Sequence, residues 1–545
     1  MDVRLVSCLE KIFPDGRGAD GAAPLLEGLQ GESLSFQMAV YNPDDGAAYV
    51  WPAVESPLAD CISVRRVECV PVRVERREGE YDAHYIDHVP GLYPDLLGEM
   101  NGQALVLPRQ QWKALWVEIA VPTDCPAGDY PVAVRLKSLQ GETWARVETT
   151  VHVLGAQLPR QQLMHTEWFY SDCLADYYDV TPWSEKHWEI VEQFVKTAAK
   201  RGCTMLLTPH VTPALDTYEG GERTTVQLVD VTVENGEYRF GFDRLHRWIE
   251  MGLRCGMEQF EMAHLFTQWG AAHAPKVMAL KDGRYQRIFG WDSDAVGGEY
   301  TRFLHAYLPR LIEKLREWGV TDRTYFHVSD EPNAQQLSSY IAAKQSVEAL
   351  LAGFPIMDAM SHYEIYQQSG IQHPVVSLAH IQPFLNQRPE NLWGYHCCGP
   401  LTKYTNRFLQ MPLARTRAVG LQCWKYDLKG FLHWGYNFYN TVLSVARVEP
   451  HLDVESGGAF PAGNPFVVYP GRDGRPEESI RLMALHQAMQ DFRALSLLAQ
   501  RVGREKALAL LDQGGALTLT SFPCSAADFQ ALRSRINRAI AETIP

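Results

Sequence analysis

The sequence predicts an α/β protein in which a (β/α)8 TIM barrel follows an N-terminal β-sandwich. Three observations carry that reading. From about residue 162 onward, eight apolar runs of strand length alternate with stretches of helical period. Upstream, short runs of alternating apolar and polar residues are separated by turn clusters. No Gly-rich phosphate turn follows the first run of the second region, Trp168-Phe-Tyr-Ser-Asp-Cys173, so a doubly wound nucleotide-binding sheet has nothing to build on.

In the first region, 33–41, 114–121 and 130–136 alternate at strand period, with Asn42-Pro-Asp-Asp-Gly46 and Pro126-Ala-Gly-Asp129 as turns. Leu154-Gly-Ala-Gln-Leu-Pro159 reads as the hinge. Barrel strands are expected near 163–170, 204–209, 258–265, 324–330, 354–359, 374–379, 391–396 and 430–436. Helical patterns cover 185–201, 242–255, 297–319, 335–351, 410–426 and 478–500, and a last amphipathic helix runs from Ser525 to Ile544. The expected division is 1–157 sandwich, 158–510 barrel, and 511–545 a helical tail packed on the barrel.

A net charge of −14, from 65 acidic and 51 basic residues, argues against nucleic acid and anionic membrane surfaces as partners. The aromatic load of 14 Trp, 24 Tyr and 21 Phe serves a large core, and it also suits sugar binding, where flat rings stack on C–H faces. Eleven cysteines show no metal-type spacing, and a direct bridge between adjacent Cys397 and Cys398 would be strained. No basic segment followed by an apolar run opens the chain, and no apolar stretch reaches bilayer length. The expectation is a cytoplasmic protein without a membrane partner.

Barrels place their chemistry at the C-terminal strand ends. Those ends carry Glu167 and Trp168, His210, Glu261 and His264, Asp330 and Glu331, Asp358, Tyr395 and His396, and Trp434 with Asn437 nearby. The most telling is Asp330-Glu331-Pro332-Asn333, where an apolar strand carrying His327 ends on adjacent acids. Facing one pocket, two carboxyls repel and desolvate each other, so one stays charged while the other keeps its proton. That division of labour suits acid/base work on a sugar. Pro332 biases Glu331 toward an extended conformation and favours a helix start, and such a tetrapeptide is also an ordinary helix-start signal. Tyr395, Trp434, Asn437, His264, His327 and Asp358 are the candidate substrate-binding residues. His210, His264 and His327 on consecutive strand ends invite a metal reading, but no His-x-His or His-Glu-x-x-His spacing supports it.

An ordered set of motifs extends over most of the chain: Val89-Pro-Gly-Leu-Tyr-Pro-Asp95, His165-Thr-Glu-Trp-Phe-Tyr170, Leu215-Asp-Thr-Tyr-Glu219, Ser329-Asp-Glu-Pro332, Trp393-Gly-Tyr395, Gly430-Phe-Leu-His-Trp-Gly-Tyr-Asn437 and Tyr469-Pro-Gly-Arg-Asp-Gly474. This set resembles the glycoside hydrolase family 123 catalytic domain and its bacterial relatives. The resemblance implies an exo-acting, retaining β-N-acetylgalactosaminidase that uses the substrate's own 2-acetamido oxygen as nucleophile. It implies that Asp330 orients the acetamide N–H and stabilises an oxazolinium-like intermediate, and that Glu331 is the general acid and then the base. The implied partner is an oligosaccharide or glycoconjugate ending in a β-linked amino sugar, with no cofactor and no metal. Two alternatives stand beside it. One is a conventional two-carboxylate glycosidase on another sugar, pairing Glu331 with Asp358 or Glu167. The other is a carbohydrate-binding barrel that no longer turns over.

Overall fold

The computed structural model describes residues 1–544. Eight parallel strands form a ring at the centre of the second region: Met164–Glu167, Met205–Thr208, Gln259–Met262, Thr324–Phe326, Met357–Ala359, His373–Ser377, Trp393–His396 and Gly430–His433. Continuous ladders run from the fourth strand through the third, second, first, eighth, seventh and sixth to the fifth, and a single Phe326–Ile356 bridge joins fourth to fifth. The strands are buried on both faces, which is why they read as apolar runs.

Each expected strand is present and shorter than its apolar run. The fourth shows why: beyond Phe326 the backbone bonds leave the ladder. The Val328 N–H goes to the Asp358 carboxylate at 3.0 Å, and the His327 and Val328 carbonyls accept from Leu265 and Phe266 at 3.1 Å. Major crossover helices are Glu185–Lys200, Asp243–Cys255, Gly298–Glu317, Leu337–Glu348, Leu413–Lys425 and Ile480–Val502. Local chemistry fixes their ends. Ser184 and Ser479 accept the His187 and Leu482 N–H groups as N-caps, and Gly256 ends its helix at φ +101°. Two hairpins inserted after the second and third strands, 230–241 and 277–289, pair into a four-stranded sheet.

The N-terminal region holds two sheets, of seven and five strands. Between them lies one apolar core, to which Ser33–Tyr41 contributes Leu34, Phe36, Met38 and Val40 and Trp112–Ala120 contributes Leu115, Val117 and Ile119. The opposite face of the seven-stranded sheet is buried too: Ala39, Val67, Ala114 and Trp116 share a second core with Ile480, Met483 and Ala484.

Two features cross the boundaries expected at 157 and 510. The hairpin Val468–Pro470/Pro476–Ser479 pairs with Gly91–Glu99 and completes the seven-stranded sheet. The final helix, Ala526–Ala541, packs on Ile480–Val502 and also on the five-stranded sheet's edge, where Asn537 donates to the Glu27 carbonyl and Arg533 pairs with Glu32 at 2.6 Å. Where these parts meet, Glu118 and Glu478 interlock with Arg65 and Arg201, and all four are buried.

Candidate active site

At the C-terminal mouth of the barrel lies a cavity of about 170 Å³, lined by Trp168, Tyr170, Asp216, Gln268, Trp269, Asp330, Glu331, Tyr395, Cys397, Cys398, Trp434 and Phe460, among others. Both adjacent acids reach it because Glu331 sits at φ +42°, in the left-handed region. That is not the extended geometry expected before Pro332, and the following helix begins only at Leu337. In an extended chain, neighbours point to opposite faces. A left-handed turn swings the second acid toward the first, at a backbone cost on the order of 1–3 kcal/mol. The Trp269 N–H donates to the Asp330 carbonyl at 3.0 Å, and the Ser329 hydroxyl donates to the Thr267 carbonyl at 2.8 Å, which pins the turn.

Burial, reinforced by the neighbouring Glu331 carboxylate, pushes the Asp330 carboxyl well above its usual range. Burial and the adjacent negative charge thus both favour the protonated form of Asp330. The Tyr395 phenol donates to Glu331 Oε1, and Ser361 Oγ lies 3.0 Å from the same phenol oxygen. Trp434 lines the cavity and is held by a 3.0 Å bond from its indole N–H to Asn464.

The other sequence candidates lie elsewhere. Asn437 is fully buried, and its amide closes a two-way bridge with the Tyr170 backbone, at 2.9 and 3.1 Å. It orders the first strand's exit rather than meeting the cavity. His327 lies beneath the floor, 2.6 Å from Glu261 and 3.1 Å from Asp358. Burial opposes its charge, but the bonds to both carboxylates win and raise it to about 10. Asp358 also accepts the Val328 N–H and the Tyr340 hydroxyl, so it braces the strand that ends in Asp330. His264 stacks on His327 at 4.3 Å between ring centroids, with neither of its nitrogens hydrogen-bonded. Burial and the His327 charge keep it neutral.

Donor atoms of His264, His327 and Asp358 come within 4.8 Å of one another. An imidazolium donating from both nitrogens offers no lone pair to a metal, so a metal there must first displace the carboxylates from His327. Glu167, named as a conventional partner for Glu331, is instead bound by Arg407 through both oxygens, at 2.8 and 2.6 Å.

Sequence reasoning passed over Trp269, Gln268 and Phe460 and did not count Asp216 among the site residues. Asp216 lines the cavity, half-buried, with its Oδ2 accepting the Leu443 N–H at 3.0 Å. Burial raises its carboxyl to about 6, against the pull of Arg223. Trp269 stands at the rim 45% exposed. Neither position had a local signal: both lie in irregular loops and are brought in by folding.

A barrel whose mouth presents a coupled acid pair walled by aromatic rings has the equipment of a glycosidase. Residues 168–498 match the family model described as "Glycoside hydrolase 123, catalytic domain". The chain belongs to glycoside hydrolase family 123 and is a glycoside hydrolase by that membership. A similar solved structure, described under "glycolipid glycan hydrolysis", is a family 123 glycoside hydrolase from Clostridium perfringens, with 14% identity, a TM-score of 0.73, and coverage of 99% of this chain and 98% of that one. At that identity the likeness speaks for the fold. A Thermobacillus composti GH10 xylanase aligns at 12% identity over 55% of this chain and 99% of its own, with a TM-score of 0.30, too low to bear on function. No curated protein sequence matches the chain.

Proposed function

We propose that this glycoside hydrolase is an exo-acting, retaining β-N-acetylhexosaminidase, with terminal β-linked GalNAc as its substrate. The observation that carries the reading is the coupled Asp330–Glu331 pair, turned into one cavity and capped by Tyr395. A single proton shared by two acids needs a rule for where it sits. Without substrate, desolvation and the Glu331 charge favour it on Asp330. An acetamide N–H donating to Asp330 stabilises that carboxylate and moves the proton to Glu331. Glu331 then protonates the leaving glycosidic oxygen while the acetamide oxygen attacks the anomeric carbon. The negative Asp330 stabilises the cyclic cation, and Glu331 later removes a proton from the incoming water. On this reading the 2-acetamido group both attacks and arms the acid. Trp434 and Phe460 give the sugar an apolar wall, and the exposed Trp269 gives the aglycone a stacking surface at the rim.

The test is release of 4-nitrophenol from the β-GalNAc, β-GlcNAc and β-galactoside substrates, with wild type beside Asp330→Asn and Glu331→Gln. Turnover of the acetamido sugars alone, lost in both variants, supports the reading. Equal turnover of the galactoside overturns it.

A second reading is carried by Asp216. With Glu167 and Asp358 bound into the scaffold, it is the remaining carboxylate lining the cavity among the described residues. A conventional glycosidase pairing Glu331 with Asp216 requires Asp216→Asn to be as damaging as Glu331→Gln. The amino-sugar reading expects a loss confined to substrate binding. We further read the first 157 residues as a β-sandwich that buttresses the barrel.

A further inference from the structure

Cys397 and Cys398 follow the seventh strand directly and both line the cavity, each partly exposed. In an extended chain they would face opposite ways. Here the Cys397 N–H donates to the Gly399 carbonyl at 3.0 Å, so the chain turns at Cys398 instead of running on as a strand, and both residues border the one cavity. Asn464 secures the turn, donating to the Cys397 carbonyl at 2.9 Å and accepting from the Cys398 thiol at 3.4 Å. Asn464 also holds Trp434, so thiols and aromatic wall share one anchor. The neighbouring Cys397 sulfur, followed by burial, lifts the Cys398 thiol well above its ordinary range. Asp216, Asp330, Glu331 and Tyr395 line the same cavity. The other nine cysteines are scattered singly along the chain.

We propose that Cys397 and Cys398 form a dithiol site in the cavity wall that captures trivalent arsenicals, and that capture shuts the sugar pocket. The chemistry needs no oxidant. With phenylarsine oxide two As–S bonds form, both S–H bonds break, and the two protons leave with the oxide oxygen as one water. Arsenic stays trivalent. A protonated Cys398 is a slow nucleophile toward a monofunctional alkylating agent, whereas a dithiol-seeking arsenical gains from two thiols in one cavity wall. The blocking half of the proposal rests on the glycosidase reading; the binding half does not.

The experiment treats the full chain with one equivalent of phenylarsine oxide. Intact mass should show one phenylarsenic group per chain, thiol titration should lose two groups, and the adduct should map to residues 397–398. Activity on the β-GalNAc glycoside should fall at least tenfold and return with 2,3-dimercaptopropanol but not with an equal concentration of 2-mercaptoethanol. Free GalNAc should slow the labelling. Cys397→Ser and Cys398→Ser, checked for folding by circular dichroism, should each fail to retain the group. An unlabelled wild type, or an adduct retained in both variants, overturns the site. A correctly placed adduct that leaves turnover intact overturns the blocking. A correctly placed adduct on a protein with no glycosidase activity overturns the functional reading and leaves the site standing.

Discussion

Beneath the mouth, Glu261, His327 and Asp358 form an acid–base–acid chain whose outer members also hold Trp168, Thr166 and the backbone two residues before Asp330. Between the N-terminal sheet and the barrel, Glu118 and Glu478 interlock with Arg65 and Arg201, away from the lining of the barrel-mouth cavity. Both clusters are buried and hydrogen-bonded, and each moves the titration of a member, His327 upward in the first and Glu118 and Glu478 downward in the second. Only what they touch separates them. The first transmits its order to a turn that carries chemistry. The second holds two halves of the molecule in register. Perturbed titration alone does not mark a catalytic group.

Five variants would break or sharpen that contrast. Glu331→Gln removes the general acid and should lower kcat/KM by about 10²–10⁴-fold with melting temperature nearly unchanged, read by 4-nitrophenol release and a thermal scan. Arg201→Met should do the reverse. Leaving two buried carboxylates, Glu118 and Glu478, to share Arg65 alone should cost about 3–5 kcal/mol in urea unfolding, with activity per folded molecule preserved. The interface carboxylates also set an acid limit. Arg201 and Arg65 overcome burial and hold both Glu118 and Glu478 below the ordinary glutamate range. Their folded pKa values are depressed, so their contribution is full above the unfolded value of about 4.3 and is lost as pH falls toward 2. Urea midpoints across pH 2–6 should show that slope, and Glu478→Gln should flatten it.

Glu261→Gln is intermediate. It should lower stability by about 2 kcal/mol and activity by about tenfold, because His327, Trp168 and Thr166 all lose a charged partner. If it behaves like Arg201→Met, the division between the two clusters fails. Tyr395→Phe should be mildest, about tenfold or less in kcat, since it removes one hydrogen bond from Glu331 while Ser361 remains nearby.

The barrel was legible because each strand is buried on both faces, which writes apolar runs ended by polar residues. Asp330 and Glu331 were legible for the same reason, as charges where such a run stops. The two inserted hairpins went unread although their turns announce them. Asn235-Gly236 and Asp282-Gly283 have positive φ at both residues, as a two-residue hairpin turn requires. The strand Val468–Pro470 had less to show: three residues, with its sheet neighbours across the hairpin more than 370 positions upstream. The misplacement of Asn437, His264 and His327 has another cause. Strand-end position says which residues are near a mouth, and hydrogen-bond demand decides which of them the scaffold consumes. Asp216 entered the cavity the opposite way, from a loop that only the folded chain brings close.

The seven-stranded sheet also fixes an order of events during synthesis. When residue 157 leaves the ribosome, Gly91–Glu99 is an open edge, because the hairpin that pairs with it has not been made, and Glu118 has Arg65 but not yet Arg201. At roughly 5–20 residues per second, the missing 320 or so residues take about 16–64 s to arrive. For that interval the nascent N-terminal half exposes both an unpaired strand and the apolar face destined for Ile480–Val502. A late-made segment is thus the clasp that closes the first part of the chain, and the N-terminal half stays aggregation-prone until that segment arrives.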